Sequence, residues 1–206
     1  MKRIFILLII GFAISAKAQV HRFGSSISNN TTGLPITGYG SLFYSQFHPG
    51  AEVFYEYKLN KKEVNQFWIK GTFGGYYHRF FQTALRLQLD VDYRLAFSKF
   101  VALDIALGGG YLHSFTDYQR FKLNDQGEYE KIHGIAGRAQ FVAGLTLGAN
   151  VALLKSDPEK IRLLIQFRTL MQGPFVANYV PLLPVNSFLL GLSFPLKPGK
   201  HETTLK

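Results

Sequence analysis

The 206-residue sequence contains no cysteine, which excludes disulfides and thiolate metal sites outright. It has no low-complexity run and no block of like charge, and nothing in it reads as a linker between two cores. A single domain of barrel size is therefore the expectation. No phosphate-binding loop, nucleotide fingerprint or metal-ligand spacing occurs, so no cofactor is expected. The apolar run from Ile4 to Ile14 falls short of the ~20 residues of a spanning helix. With Lys2 and Arg3 before it and the small-x-small cleavage signal Ala16-Lys17-Ala18 after it, it reads as a secretory signal peptide over residues 1–19. No cysteine follows that site, which excludes a lipoprotein anchor. Cleavage would remove three cations and lower the formal net charge from +10 to +7. The remaining positive charge is spread along an exported chain with no recognisable nucleic-acid module, so nucleic acid is not an expected partner.

What the chain does contain is alternation. From Ala84 to Phe97, Leu85, Leu87, Leu89, Val91, Tyr93, Leu95 and Phe97 share one parity, and Arg86, Gln88, Asp90, Asp92 and Arg94 share the other. Side chains alternate faces along a strand, so this is a strand with one apolar and one ionic face. It is long enough for the about 9 to 11 residues needed to cross a bilayer at a tilt. Further strands are expected at 51–59, 67–77, 101–111, 139–153, 161–171 and 188–194, and a weaker, serine-rich one at 21–29. Short polar turns fall at 60–65, 98–99 and 155–160, where Asp157-Pro158 stops the ladder because proline has no N–H to donate. The connections 30–47, 115–134 and 173–186 are longer, and that at 79–83 is short.

Volume decides which face is inside. An eight-stranded barrel encloses just enough space for side chains or one small ligand, and the Leu, Ile, Phe and Tyr of the apolar parity would overfill it. The other parity mixes small residues with ions of both signs: Glu52, Glu56, Asp90, Asp92 and Asp104 against Lys70, Arg86, Arg94, Arg138, Arg162 and Arg168. Buried ions are tolerated when paired. The predicted fold is thus all-β, an eight-stranded antiparallel up-and-down transmembrane barrel with its ionic network in the lumen and lipid on the apolar face. Short turns on the periplasmic side and long loops outside fit the same pattern. Interfacial aromatic girdles are expected from Tyr76, Tyr77, Tyr111 and Phe115 at the outer end and from Phe67, Trp68, Phe97 and Phe100 at the inner end.

These residues and loop lengths resemble the small outer-membrane β-barrel proteins of Gram-negative bacteria, especially the eight-stranded outer-membrane barrel domains of Bacteroidota, over about residues 20–197. Gly191-Leu192-Ser193-Phe194-Pro195-Leu196 is similar to the family's C-terminal signal, with Gly191, Phe194 and Leu196 at the matching positions. The resemblance implies residence in the outer membrane, contact with its lipid and lipopolysaccharide, and insertion by the barrel-assembly machinery. It leaves residues 198–206 as a periplasmic tail, and it implies no particular activity or external ligand.

Two classes of function follow. One is a non-enzymatic barrel with a salt-bridged lumen, structural or binding through its loops. The alternative is a membrane-embedded hydrolase acting on lipid A, for which His78, His113 and His133 near the outer rim are the available bases. His113 and Ser114 are adjacent and therefore point to opposite faces, which leaves no histidine and serine together on one strand face. No catalytic residue is assigned.

Overall fold

The computed structural model describes residues 20–79, 82–115, 120–132, 137–175 and 181–196. The expected signal peptide and the expected tail at 198–206 lie outside the described residues, as does His133. Among the described residues ten strands occur: β1 (His21–Thr32), β2 (Pro49–Lys58), β3 (Asn65–His78), β4 (Gln82–Ala96), β5 (Val101–Phe115), β6 (Arg120–Leu123), β7 (Tyr129–Ile132), β8 (Arg138–Ala152), β9 (Arg162–Gly173) and β10 (Leu183–Pro195). Eight of them form a closed barrel in which chain neighbours pair, β5 meets β8, and β10 returns to β1. Every pairing is antiparallel. The eight-stranded antiparallel barrel expected from the alternation is the fold.

Parity governs the wall. Away from the strand ends the even-numbered residues of β2, β3 and β4 are buried inside, and odd-numbered ones such as Phe73, Leu87, Leu89 and Val91 stand more than half exposed outside. In β10 the inward parity is odd, because Arg22 of β1 pairs with Pro195 and Gly24 with Ser193. Two members of the expected girdles follow this rule rather than the expectation. Trp68 and Tyr76 share the parity of Lys70 and Thr72, and both are buried in the lumen.

Space inside is tight enough that glycine is required. Gly108 of β5 lies opposite Asp90, and a Cβ there would overlap both the Asp90 carboxylate and the Leu89 carbonyl. The small face of β5 is what makes room for the acid of β4.

The long connections differ from the open loops expected. Segment 115–134 carries the β6–β7 hairpin, whose turn is held by Asn124, its Oδ1 accepting from the backbone N–H of Gln126 (3.0 Å) and Glu128 (2.8 Å). Gly127 there has φ of 84°, a region that favours glycine. Segment 173–186 is shortened because β10 begins at Leu183. Between β1 and β2, residues 33–48 include a 3-10 turn at Thr37–Gly40 and one α-helical turn at Ser41–Tyr44. This segment packs against the outer wall of the barrel: Tyr39 lies 5.1 Å from Phe167, and Phe43 lies 6.1 Å from Phe188, ring centroid to centroid. Leu42, in the helical turn, is buried.

Candidate functional site

Six cations and five anions are buried among the described residues, and the alternation of the strands stacks them in layers along the lumen. At the short-turn end, Arg22 of β1 donates from Nε to Ser193 Oγ (2.9 Å) and from Nη2 to the Ser193 carbonyl (3.0 Å). Its Nη1 reaches Glu159 Oε2 at 3.1 Å, and the other oxygen of Glu159 accepts from Arg162 at 2.9 Å. Arg162 also donates to Asn150 Oδ1. One carboxylate on the β8–β9 turn thus ties β1 to β9.

Arg94 is the hub of the next layer. Its Nε donates to Asp104 Oδ1 at 2.8 Å, and its Nη2 lies 3.4 Å from both Glu56 and Asp92. The guanidinium sits 4.7 Å from the centroid of the Trp68 ring, where the electron-rich face attracts a cation. Such stacking suits a planar, weakly hydrated guanidinium. It accounts for the inward turn of Trp68 away from the girdle.

Near the middle, Lys70 is paired with Asp90 in the ladder. Its ammonium nevertheless rests over Phe54, 4.1 Å from the ring centroid. Asp90 Oδ1 accepts from Gln88 Nε2 at 2.5 Å. Lys70 and Asp90 make no ion pair within 4.0 Å among the described residues, so direct opposition in register does not bring them together.

Above this level Glu52 bridges three strands. Its Oε2 accepts from Arg86 Nη2 (2.5 Å) and Arg168 Nη1 (2.6 Å), and its Oε1 accepts from Arg168 Nη2 (3.1 Å). Arg168 Nε donates to Thr146 Oγ1 at 3.1 Å. The two-oxygen grip on Arg168 is the fork geometry that makes arginine–carboxylate pairs strong and directional. Next to the triad, a void of about 10 Å³ is lined by Ser28, Asn30, Tyr76, Ser187 and Leu189 as well as the three ions, which is the room of about one water.

Toward the long-loop end the ions give way to amides and apolar groups. Tyr76 donates to Gln172 Oε1 at 2.8 Å and accepts from Gln82 at 2.6 Å, and Gln172 donates to Gln140 at 2.8 Å. Ala84, Leu112, Val142, Leu170 and Val185 pack beside them as a small buried cluster. At the mouth the imidazoles of His48 and His78 stack, with centroids 3.7 Å apart and planes 9° from parallel.

Of the ionic residues singled out in the sequence, ten point into the lumen and Arg138 does not join them. As the first residue of β8 it sits at the rim, donating to the Phe175 carbonyl at 2.5 Å with its guanidinium over the Phe175 ring. Arg22 was missed. It lies in the weakly alternating β1, and its signal is the pairing with Glu56, an inward residue of β2. The glutamines Gln82, Gln140 and Gln172 were missed too, although they share the parity of the ions. His113 faces outward, bonded to the Tyr111 hydroxyl at 2.7 Å, whereas Ser114 is fully buried inside. At the C-terminal end, Gly191 packs against Ser26, while Phe194 and Leu196 stand exposed on the outside.

A closed antiparallel barrel with ions inside and Leu, Ile, Val and Phe outside inverts the polarity of a soluble protein, and closure leaves no unpaired sheet edge. That combination defines the membrane-spanning class of β-barrel. No protein-family model matches the sequence, and no curated protein matches it. Among solved structures, the chain is similar in fold to Neisserial surface protein A, with 10% identity over 85% of this chain and 96% of that one and a TM-score of 0.49. It is similar to the outer-membrane enzyme PagL, with 11% identity, 87% and 100% coverage and a TM-score of 0.46. Ail, the attachment invasion locus protein of Yersinia pestis, matches with 13% identity, 86% and 97% coverage and a TM-score of 0.39.

Proposed function

We propose that this chain is a bacterial outer-membrane barrel whose lumen is closed by its own side chains and whose work is done, without catalysis, on the surface it presents outside the cell. The observation that carries this reading is the Glu52–Arg86–Arg168 triad. It joins β2, β4 and β9 across an interior only wide enough for side chains. Arg94 with its three carboxylates repeats the arrangement below it, and the apolar cluster around Leu112 and Val142 lies above. An ion crossing the barrel would have to break each layer in turn.

The Gly191, Phe194 and Leu196 pattern supports recognition by the barrel-assembly machinery. The exposed hairpin turn at 125–129 and the long-loop end support contact with lipopolysaccharide and with external partners. The non-enzymatic reading is supported by the separation of His113 and Ser114 on opposite faces of the wall.

Conductance across a planar lipid bilayer tests the closed lumen. The wild-type barrel is expected to insert without stepwise current at neutral pH, whereas the Glu52→Ala/Arg86→Ala/Arg168→Ala variant, which empties one layer, is expected to give small, frequent openings. Steady current through the wild type would sink the proposal.

A further inference from the structure

We propose that segment 33–47 is a strap embedded in the outer leaflet, and that its partner is the acyl chains of the surrounding lipid. This rests on the outer-membrane reading given above. Among the polar residues that have the outward parity elsewhere belonging to the apolar wall are Asn29 of β1, Thr169 of β9 and Asn186 of β10. Left facing hydrocarbon they would be costly, because nothing there can hydrogen-bond them.

The strap supplies their partners. Asn186 Nδ2 donates to the Leu34 carbonyl (3.0 Å), Thr169 Oγ1, whose own proton goes to Asn186 Oδ1 (2.7 Å), accepts from the Tyr39 hydroxyl (2.9 Å), and Asn29 Nδ2 donates to the Leu42 carbonyl (2.8 Å). Asn29 Oδ1 in turn accepts from the backbone N–H of His48 at 2.9 Å. Asn186 and Thr169 are thereby buried on the outside of a barrel. The strap is held on the wall by polar bonds beneath it, so its other face is free to be apolar.

That other face is apolar. Leu34, Ile36, Phe43, Tyr44 and Phe47 are all more than half exposed. No Asp, Glu, Lys or Arg occurs between Arg22 and Glu52. The contrast with the other long connection is sharp: between residues 117 and 131 seven positions are charged, as suits a hairpin that reaches water. Phe43 and Tyr39 also extend the aromatic surface of Phe167 and Phe188, residues of the lipid-facing wall. The exposed rings are therefore continuous with that wall. Uncharged, aromatic and continuous with the belt, the strap matches lipid in its chemistry.

Quenching of tryptophan by brominated phosphatidylcholine tests this. The native Trp68 is buried in the lumen and gives a nearly constant background in vesicles with and without bromine. Tyr44→Trp is expected to add emission that brominated acyl chains largely remove, as they should for the mid-wall control Leu89→Trp. Quenching of Leu89→Trp with Tyr44→Trp unaffected would overturn the strap proposal while leaving the barrel in the membrane. If neither is quenched, the membrane reading falls and the strap proposal falls with it.

Discussion

Glu52→Leu is expected to cost the barrel about 3–5 kcal/mol, the usual penalty for leaving buried charge without its partner. Glu52 is the only carboxylate within ion-pair distance of Arg86 and Arg168 among the described residues, and it serves both. Leucine of similar volume removes the acceptor and leaves two guanidinium groups facing each other in a closed interior. Removing all three ions by Glu52→Leu/Arg86→Leu/Arg168→Met should recover most of the loss, because the expense lies in the orphaned charges rather than in any missing attraction. The urea midpoint of the detergent-solubilised barrel, and the temperature at which its gel mobility shifts, read both variants. A single mutant as stable as wild type, or a triple mutant no better than the single, would remove the triad from its place in the stability of the fold.

Leu89→Arg, on the opposite face of the same wall, is expected to destabilise by roughly 2–4 kcal/mol, the cost of a cation at the bilayer midplane of a barrel. Leu89 is the central residue of β4 and 59% exposed. Its ladder partners are Gly71 and Gly109, which offer no side chain to accept a hydrogen bond. Leu87 and Val91, its outward neighbours along the strand, offer none either. Compensation by a nearby acid is therefore not available without building a second charge into lipid. The check is refolding yield and urea stability in lipid vesicles. Equal stability of Leu89→Arg and wild type would mean that this face does not meet hydrocarbon.

The two substitutions differ by one residue parity, and parity is what the sequence made legible. In β4 the apolar and ionic sets separate completely, because neither face contains a residue of the other kind strongly enough to blur the period of two. In β1 both faces carry serine and asparagine, and the register had to come from the neighbours, so Arg22 was overlooked. Residue type alone places Trp68 and Tyr76 in girdles, whereas their parity places them inside. A cation beneath Trp68 and an amide cluster around Tyr76 are non-local partners that no short window of sequence displays. The same limit applies to Lys70 and Asp90. Register puts them side by side, but the Phe54 ring and the Gln88 amide, each two residues away along a neighbouring or the same strand, compete for the contact. The strap was legible as turn-rich and aromatic, but its fold-back depends on Thr169 and Asn186, more than 100 residues further along the chain.

The bond between Arg22 and Ser193 spans 171 residues, and it sits on the seam where the first and last barrel strands meet. Every other neighbouring pair of barrel strands is linked by one intervening segment and can zip up as the chain is laid down. The seam alone needs both ends of the chain, and so carries the largest loop-closure cost. Its contacts are therefore expected to form last, after the barrier to assembly has been climbed. Interactions made so late leave the rate of assembly untouched and act on the rate of escape. Arg22→Ala should accordingly leave insertion into vesicles as fast as wild type while shortening the lifetime of the folded barrel in denaturant, and slower insertion with an unchanged lifetime would place the seam early instead. On that outcome Arg22, with Glu159 reaching over from the β8–β9 turn, would be a latch, bearing on how long the cylinder stays shut rather than on how fast it closes.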